Sequence, residues 1–281
     1  MFGSLILNTV FTGASYALVA VPFALILGIM HMINFAHGEF ITIGAFGIYV
    51  VVLLCGFDYT LAVPLAGVSA AILGLICEKV IFSHLRGKFF ALLCATLGLS
   101  YLLQGSSLSL FGLSQKTVLS GITGTIEFCG VRYSLERLTL ASVGLVVVMA
   151  TYVFIEKTRF GIALAATGMD AEAASLQGMN TDRIYLWAFT IGCGLAGIGG
   201  ALIAPIFVIE PFMGLEPLGK AFIIVVLGGI GSIKGAIVAA FIVGLIETVG
   251  LTFVGQSINA YMFGIFIIIL IFRPRGLFGH A

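Results

Sequence analysis

The sequence predicts an all-α polytopic membrane protein with eight or nine transmembrane helices, some of them broken or re-entrant. Three observations carry that prediction: the composition, the lengths of the apolar runs, and the places where polar residues interrupt them. Of 281 residues, 60% are hydrophobic and 9% charged, against about 25% charged in an ordinary soluble domain. Mean hydropathy is +1.22. A water-soluble fold of this size has too little interior for so much apolar surface, whereas a bilayer can act as its outer solvent. The 37 glycines suit close helix approach and broken helices in membranes.

Apolar runs cover residues 5–30, 38–55, 60–82, 89–111, 138–156, 184–209, 218–232, 235–254 and 258–272. Most approach the ~20 residues that cross a ~30 Å hydrocarbon core. The run at 218–232 is shorter, which leaves it tilted, buried by neighbours or re-entrant. No soluble module interrupts the series, so residues 1–281 read as a single transmembrane domain. No Lys or Arg precedes Lys79; the positive n-region of a cleaved signal peptide is missing, and the first run is expected to span. The net charge of +1 and the lack of any basic stretch argue against nucleic acid as a partner.

Charge sets the orientation. With nine crossings, residues 83–88, 157–183, 233–234 and 273–281 share one side. That side holds Lys79, Arg86, Lys88, Lys157, Arg159, Arg183, Lys234, Arg273 and Arg275, while the other holds Lys116, Arg132, Arg137 and Lys220. The excess marks the first side as cytoplasmic, with the N-terminus external and the C-terminus cytoplasmic. Two connections are long. Residues 112–137 are polar, Gly-rich and β-prone, and are expected to form an external flap or short hairpin. Residues 157–183 read as short cytoplasmic helices, in which Asp170 can cap a helix from Ala171 to Gln177 and Gly178 can end it.

Polar breaks mark the places where chemistry can occur. Residues His31 to Phe40 interrupt two apolar runs with two His, an Asn and a Glu, and such groups beside hydrocarbon must face a bundle interior, a cavity or water. Gly38-Glu39 can open a helix whose N-terminal amides favour negative charge. A capped cytoplasmic turn accounts for the same residues equally well. A second break, Glu210-Pro211-Phe212-Met213-Gly214-Leu215-Glu216-Pro217, cannot continue a helix. If it lies external while the first lies internal, runs one to four and six to nine form an inverted repeat, a pointer to a transport site.

The stretch Leu227 to Gly235 departs from phosphate-loop spacing and reads as a tight turn between close helices. Gln104 and Glu247, isolated in apolar runs, read as groups that cap or cross-link helices. Cys55, Cys77, Cys94, Cys129 and Cys193 are scattered without a CxxC pair, so no metal or redox site is indicated. The His/His/Glu set of the first break matches no metal-ligand spacing.

In order along the chain stand Asn34-Phe35-Ala36-His37-Gly38-Glu39, Arg159-Phe160-Gly161, Glu172-Ala173-Ala174 with Gly178, Leu227 to Ser232, and Phe272-Arg273-Pro274-Arg275-Gly276-Leu277-Phe278-Gly279. From about residue 5 to 279 the chain resembles the smaller of the two permease types of branched-chain amino-acid ABC importers. The resemblance implies a type II-like importer permease in the bacterial inner membrane. It also implies four kinds of partner: a second homologous permease, two ATPases, a periplasmic substrate-binding protein and membrane lipid. ATP and Mg would sit on the ATPases, with no cofactor on this chain and no catalysis by it.

On that resemblance, Glu172-Ala173-Ala174 and Gly178 look like the EAA loop that docks on an ATPase, joined by Arg159, Phe160, Gly161 and Asp170. The Leu-Pro end of the fuller pattern is replaced by Asn180-Thr181-Asp182-Arg183. Asn34, Phe35, His37, Gly38, Glu39, Phe40, Glu210, Met213 and Glu216 are assigned to the translocation path or gate, with Asn34, His37 and Glu39 facing the partner permease. The implied activity is import of branched-chain or other hydrophobic amino acids by alternating access. The same scaffold also serves urea, short amides and small carboxylic acids. The rival class is an ion-coupled secondary transporter with Glu39, His37 or Glu247 carrying protons.

Overall fold

In a bilayer every backbone polar group needs an internal partner, so each apolar run closes its hydrogen bonds as a helix. The computed structural model describes residues 2–128, 131–272 and 276–278; Cys129, Arg273 and Arg275 lie outside them. The first half holds α1 (Phe2–Met30), α2 (His37–Tyr49), α3 (Tyr59–Cys77), a single turn α4 (Ser83–Leu85) and α5 (Phe89–Phe111). π-helical turns at Val50–Leu54 and Glu78–Phe82 extend α2 and α3. A hairpin of β1 (Thr125–Phe128) and β2 (Val131–Ser134) follows, paired Thr125 to Ser134 and Ile126 to Tyr133. The second half holds α6 (Leu135–Lys157), α7 (Arg159–Met169), α8 (Ala171–Leu176), α9 (Thr181–Ile203), α10 (Leu215–Gly228), α11 (Ile233–Phe253) and α12 (Ile258–Phe272).

Among the described residues, seven helical segments are long and apolar enough to cross a membrane. α10 has 14 residues and α12 has 15, rises of about 21 and 22 Å that fall short of a ~30 Å core. The eight or nine crossings expected from hydropathy are therefore seven full-length segments and two short helices. For α10 the reason is visible: it starts inside the bundle, where Gly214 packs against Gly38 of α2.

The helices pack in a paired pattern. α1 contacts α9, α10, α11 and α6, while α9 contacts α1, α2 and α3. Exchanging α1 with α9, α2 with α10 and α3 with α11 maps the α1 contacts with α9, α10 and α11 onto the α9 contacts with α1, α2 and α3, the pattern of an internal repeat. Glycines permit the close approaches in both halves. A Cβ on Gly244 would lie 2.8 Å from the Gly13 nitrogen of α1, and one on Gly44 would lie 2.0 Å from the Gly197 oxygen of α9. Such small-residue contacts are how membrane helices gain dispersion energy without a hydrophobic driving force.

The two ends of the bundle differ. One carries ion pairs Arg86–Asp182 and Lys234–Glu156 and the α7–α8 segment, and holds Lys79, Lys88, Lys157, Arg159 and Arg183 as well. Four of its helix starts are capped by side chains: Thr158 on α7, Asp170 on α8, Asn180 on α9 and Ser232 on α11. The other carries the hairpin, whose Tyr133 hydroxyl donates to Asn8 at 2.9 Å, and a bridge between Lys116 and Ile209. Lys220, assigned from sequence to that outer side, sits instead in the interior, 5% exposed, because α10 carries it inward.

Candidate translocation and coupling sites

α1 ends at Met30, and residues 31–36 then carry the chain back into the bundle before α2 begins. His37 Nε2 lies 3.3 Å from the Val19 oxygen; Val19 is eleven residues from the end of α1, about 16 Å of helix. The first break is thus a re-entrant segment rather than a turn at the surface. Asn34 shapes it, accepting from the Ala36 amide at 3.0 Å while its own carbonyl accepts from the His37 amide. The His37 ring packs against Phe23 in a tilted arrangement, ring centres 5.1 Å apart.

The first turn of α2 joins three helices. His37 ties it to α1. Glu39 Oε1 accepts from Gln104 Nε2 at 2.7 Å and Ser100 Oγ at 3.2 Å, both on α5. Gly38 packs on Gly214 at the start of α10, where a Cβ on Gly38 would sit 2.4 Å from the Gly214 oxygen. Asn34, His37 and Glu39 are at most 1% exposed. They are enclosed by their own chain, because the chain re-enters the bundle before it turns outward. Among the described residues, Asn34 Nδ2, His37 Nδ1 and Glu39 Oε2 have no hydrogen-bond partner.

The remaining path residues divide between core and surface. Phe40 is fully buried, its ring edge-on to Phe189, and Phe35 is half-buried. Met213 packs against the core from the second break, Glu210 is half-buried with its carbonyl accepting from the Met213 amide, and Glu216 is exposed on the first turn of α10. The structure therefore brings Gly38 and the Gly214 break together, but not Glu210 and Glu216 onto Asn34, His37 and Glu39.

Sequence reading missed two ionic clusters. Lys220 Nζ pairs with Glu247 Oε2 at 2.7 Å, and the Tyr16 hydroxyl donates to the same carboxylate. This cluster binds α10 to α1 and α11, so Glu247 is the cross-link its isolation predicted. Arg86 pairs with Glu78, whose side chain is fully buried, and also with Asp182, while lying over the Tyr185 ring at 5.0 Å. The available signal was a lone acid, Glu78, near the end of an apolar run with an arginine eight residues on.

The α7–α8 segment follows the sequence expectation closely. Gly161 allows α7 to fold tightly back on α6, since a Cβ there would lie 2.3 Å from the Ile155 oxygen. Phe160 packs on Phe154. Asp170 Oδ1 accepts from the Ala173 amide at 2.9 Å, and Gly178 leaves the helix at φ +82°. Ala174 is buried, whereas Arg159, Glu172 and Ala173 are exposed. Met169 and Leu176 are 88% and 82% exposed, an apolar pair presented at the basic end.

Against this geometry, a profile described as branched-chain amino acid transport system / permease component matches residues 5–272. The chain belongs to that permease family. The permease is 32% identical to the high-affinity branched-chain amino acid transport system permease protein BraD of Pseudomonas aeruginosa, over 98% of this chain and 95% of that one. It is 31% identical to the corresponding protein LivH of Escherichia coli, over 97% and 94%. The permease LivM of the same organism is 27% identical, over 93% of this chain and 67% of LivM. In fold, it is similar to PsaBC from Streptococcus pneumoniae solved with a Fab, with TM-score 0.52, 16% identity and coverage of 98% and 97%.

Proposed function

We propose that this permease moves branched-chain or other aliphatic amino acids inward across a bacterial inner membrane, as half of a permease pair driven by two ATPases and fed by a periplasmic binding protein. The observation that carries this reading is the α7–α8 segment. It projects Met169, Ala173 and Leu176 from the end of the bundle that holds most of the basic side chains. That excess makes this end cytoplasmic, where an ATPase groove can receive an apolar helix surface. Likeness to both BraD and LivM supports a second permease of related fold as the partner.

The packing supplies a route for force. A Cβ on Gly168 of α7 would lie 2.8 Å from the Gly28 oxygen of α1, and one on Gly28 would lie 2.5 Å from the Gly231 Cα. A push on α7 therefore reaches α1 and the α10–α11 turn without slack, and both lead to the first turn of α2. The Asn34–His37–Glu39 network there is partly unsatisfied. Each orphaned group raises the energy of this arrangement by about 1–3 kcal/mol, which narrows its gap to an alternative packing. Gating thus falls to α2 and α10, the two helices that start inside the bundle.

The test is reconstitution of the permease pair with its ATPases in proteoliposomes. Leucine-loaded binding protein outside should stimulate ATP hydrolysis and drive leucine uptake, whereas urea or short amides should do neither. Uptake dependent on an ion gradient and indifferent to ATP would refute the reading.

A further inference from the structure

A cavity of about 580 Å³ opens at the basic end of the bundle, between α1, α6, α7 and the turn at residues 230–234. Gly28, in its lining, packs against both Gly168 and Gly231. Its walls are aliphatic and mostly branched: Leu25, Ile29, Ile155, Ile162, Ile230 and Ile233. The size is within the ~300–1,000 Å³ usual for small-molecule sites.

One rim carries charge of both signs. Lys234 Nζ and Glu156 Oε1 lie 2.9 Å apart, and Lys234 also stands 5.6 Å from the Tyr152 ring centre. Beside them α11 begins, with Ser232 Oγ accepting from the Gly235 amide at 3.0 Å. The amides of Ile233 and Lys234, in the first turn, have no intrahelical acceptor and favour an anionic group. His31 forms another part of the wall and holds φ +50°, a left-handed conformation that glycine would adopt without strain.

A balanced pair of charges beside a helix start, over a branched aliphatic wall, suits a ligand with one carboxylate, one ammonium and an aliphatic side chain. Among the described lining residues Lys234 is the one Lys or Arg, so an anionic headgroup or nucleotide would meet Glu156 without a second such cation. We propose that this cavity is a regulatory site for a free zwitterionic amino acid with a branched aliphatic side chain. The carboxylate lies toward Lys234 and the α11 start, and the ammonium lies toward Glu156. Because α7 forms one wall, a bound ligand bridges α7 to α1 and α11, and holding them together opposes the movement that the ATPases impose. Accumulated product thereby slows import. This inference rests on the importer reading above, which sets the cavity in the cytoplasm.

Two measurements test it. Equilibrium dialysis of labelled leucine against the complete complex, with binding protein left out, reads the cavity independently of import. Saturable binding is expected, weakened at least tenfold by Ala165→Phe, which fills the cavity from an exposed position on α7. The exchanged pair Glu156→Lys with Lys234→Glu keeps an ion pair but reverses its polarity, and should weaken binding similarly. In proteoliposomes, lumenal leucine should slow uptake while lumenal glutamate should not. Both variants should need at least ten times more lumenal leucine for the same fractional slowing, each compared with its own uptake from an empty lumen. Absence of leucine binding to the wild-type complex would overturn the proposal, as would equal sensitivity of wild type and both variants. If external leucine drives no uptake, the importer reading fails; if uptake runs and lumenal leucine has no effect, only the regulatory site fails.

Discussion

Replacing Gly214 by alanine tests the junction between the two helices that start inside the bundle. The added Cβ would lie 2.1 Å from the Gly38 oxygen, 2.5 Å from the Gly38 carbon and 2.7 Å from Thr42 Oγ1. A carbon–oxygen contact needs about 3.3 Å, so α10 must retreat from α2 by roughly 1 Å. The obstructing oxygen and carbon belong to backbone, so no rotamer change relieves them, and close-packed interiors transmit such a shift. Overpacking of this kind costs about 3 kcal/mol at the upper end of its usual range, or about a hundredfold in the population with α2 and α10 docked. Gly219→Ala is the control on the same helix, since its Cβ meets nothing within 4 Å. It should be neutral, or stabilise by up to about 1 kcal/mol through helix propensity. Leucine uptake in proteoliposomes and the melting temperature of the purified complex provide the readouts. Gly214→Ala with wild-type uptake and melting temperature would show that the two helix starts do not meet as described.

Ala173→Arg should leave the complex in the membrane yet abolish uptake while ATP hydrolysis continues, because it puts a bulky charge on the exposed face of α8; full uptake would remove α8 from the docking surface. Arg86→Ala should destabilise by about 3–5 kcal/mol by stranding the buried Glu78, and Glu78→Leu with Arg86→Leu should recover most of that loss, both read by thermal unfolding. Asp182, 83% exposed, contributes less than about 1 kcal/mol to the same cluster. In a cysteine-free background, Leu119→Cys should react with an impermeant thiol reagent from outside intact cells and Lys88→Cys should not; the reverse pattern would invert the orientation. His31→Gly should raise the melting temperature, relieving about 1–2 kcal/mol of left-handed strain.

The apolar runs located the helices because twenty-odd apolar residues in succession admit few other structures. The β-prone character of Thr117 to Tyr133 anticipated the hairpin, and Asp170 with Gly178 fixed the limits of α8, since caps are local chemistry. Depth was not legible. Hydropathy measures how long a segment is, not where in the membrane it begins. The re-entry of residues 31–36 therefore emerges only from packing, and packing decides which of the alternatives left by the short run at 218–232 α10 adopts. The same ignorance of depth assigned Lys220 to the external side. The Gly38–Gly214 contact joins two breaks distant in sequence, and nothing in either break shows that it meets the other. A repeated pairing of helices is visible in which helix touches which, although the residues themselves show no evident repeat.

α1 is the most enclosed of the seven long helices, with 83% of its apolar stretch buried against 28% for α5. Its neighbours α6, α9, α10 and α11 all follow it in the chain. During synthesis, the helix destined for the middle of the bundle must therefore wait in lipid for most of its eventual contacts. Its sequence suits that interval: from Phe2 to Met30 it carries no charged residue, and the acid and base that later meet Tyr16 arrive on α11 and α10. A charge placed on α1 to strengthen the finished cluster would consequently act earlier, on insertion, before Lys220 or Glu247 existed to receive it.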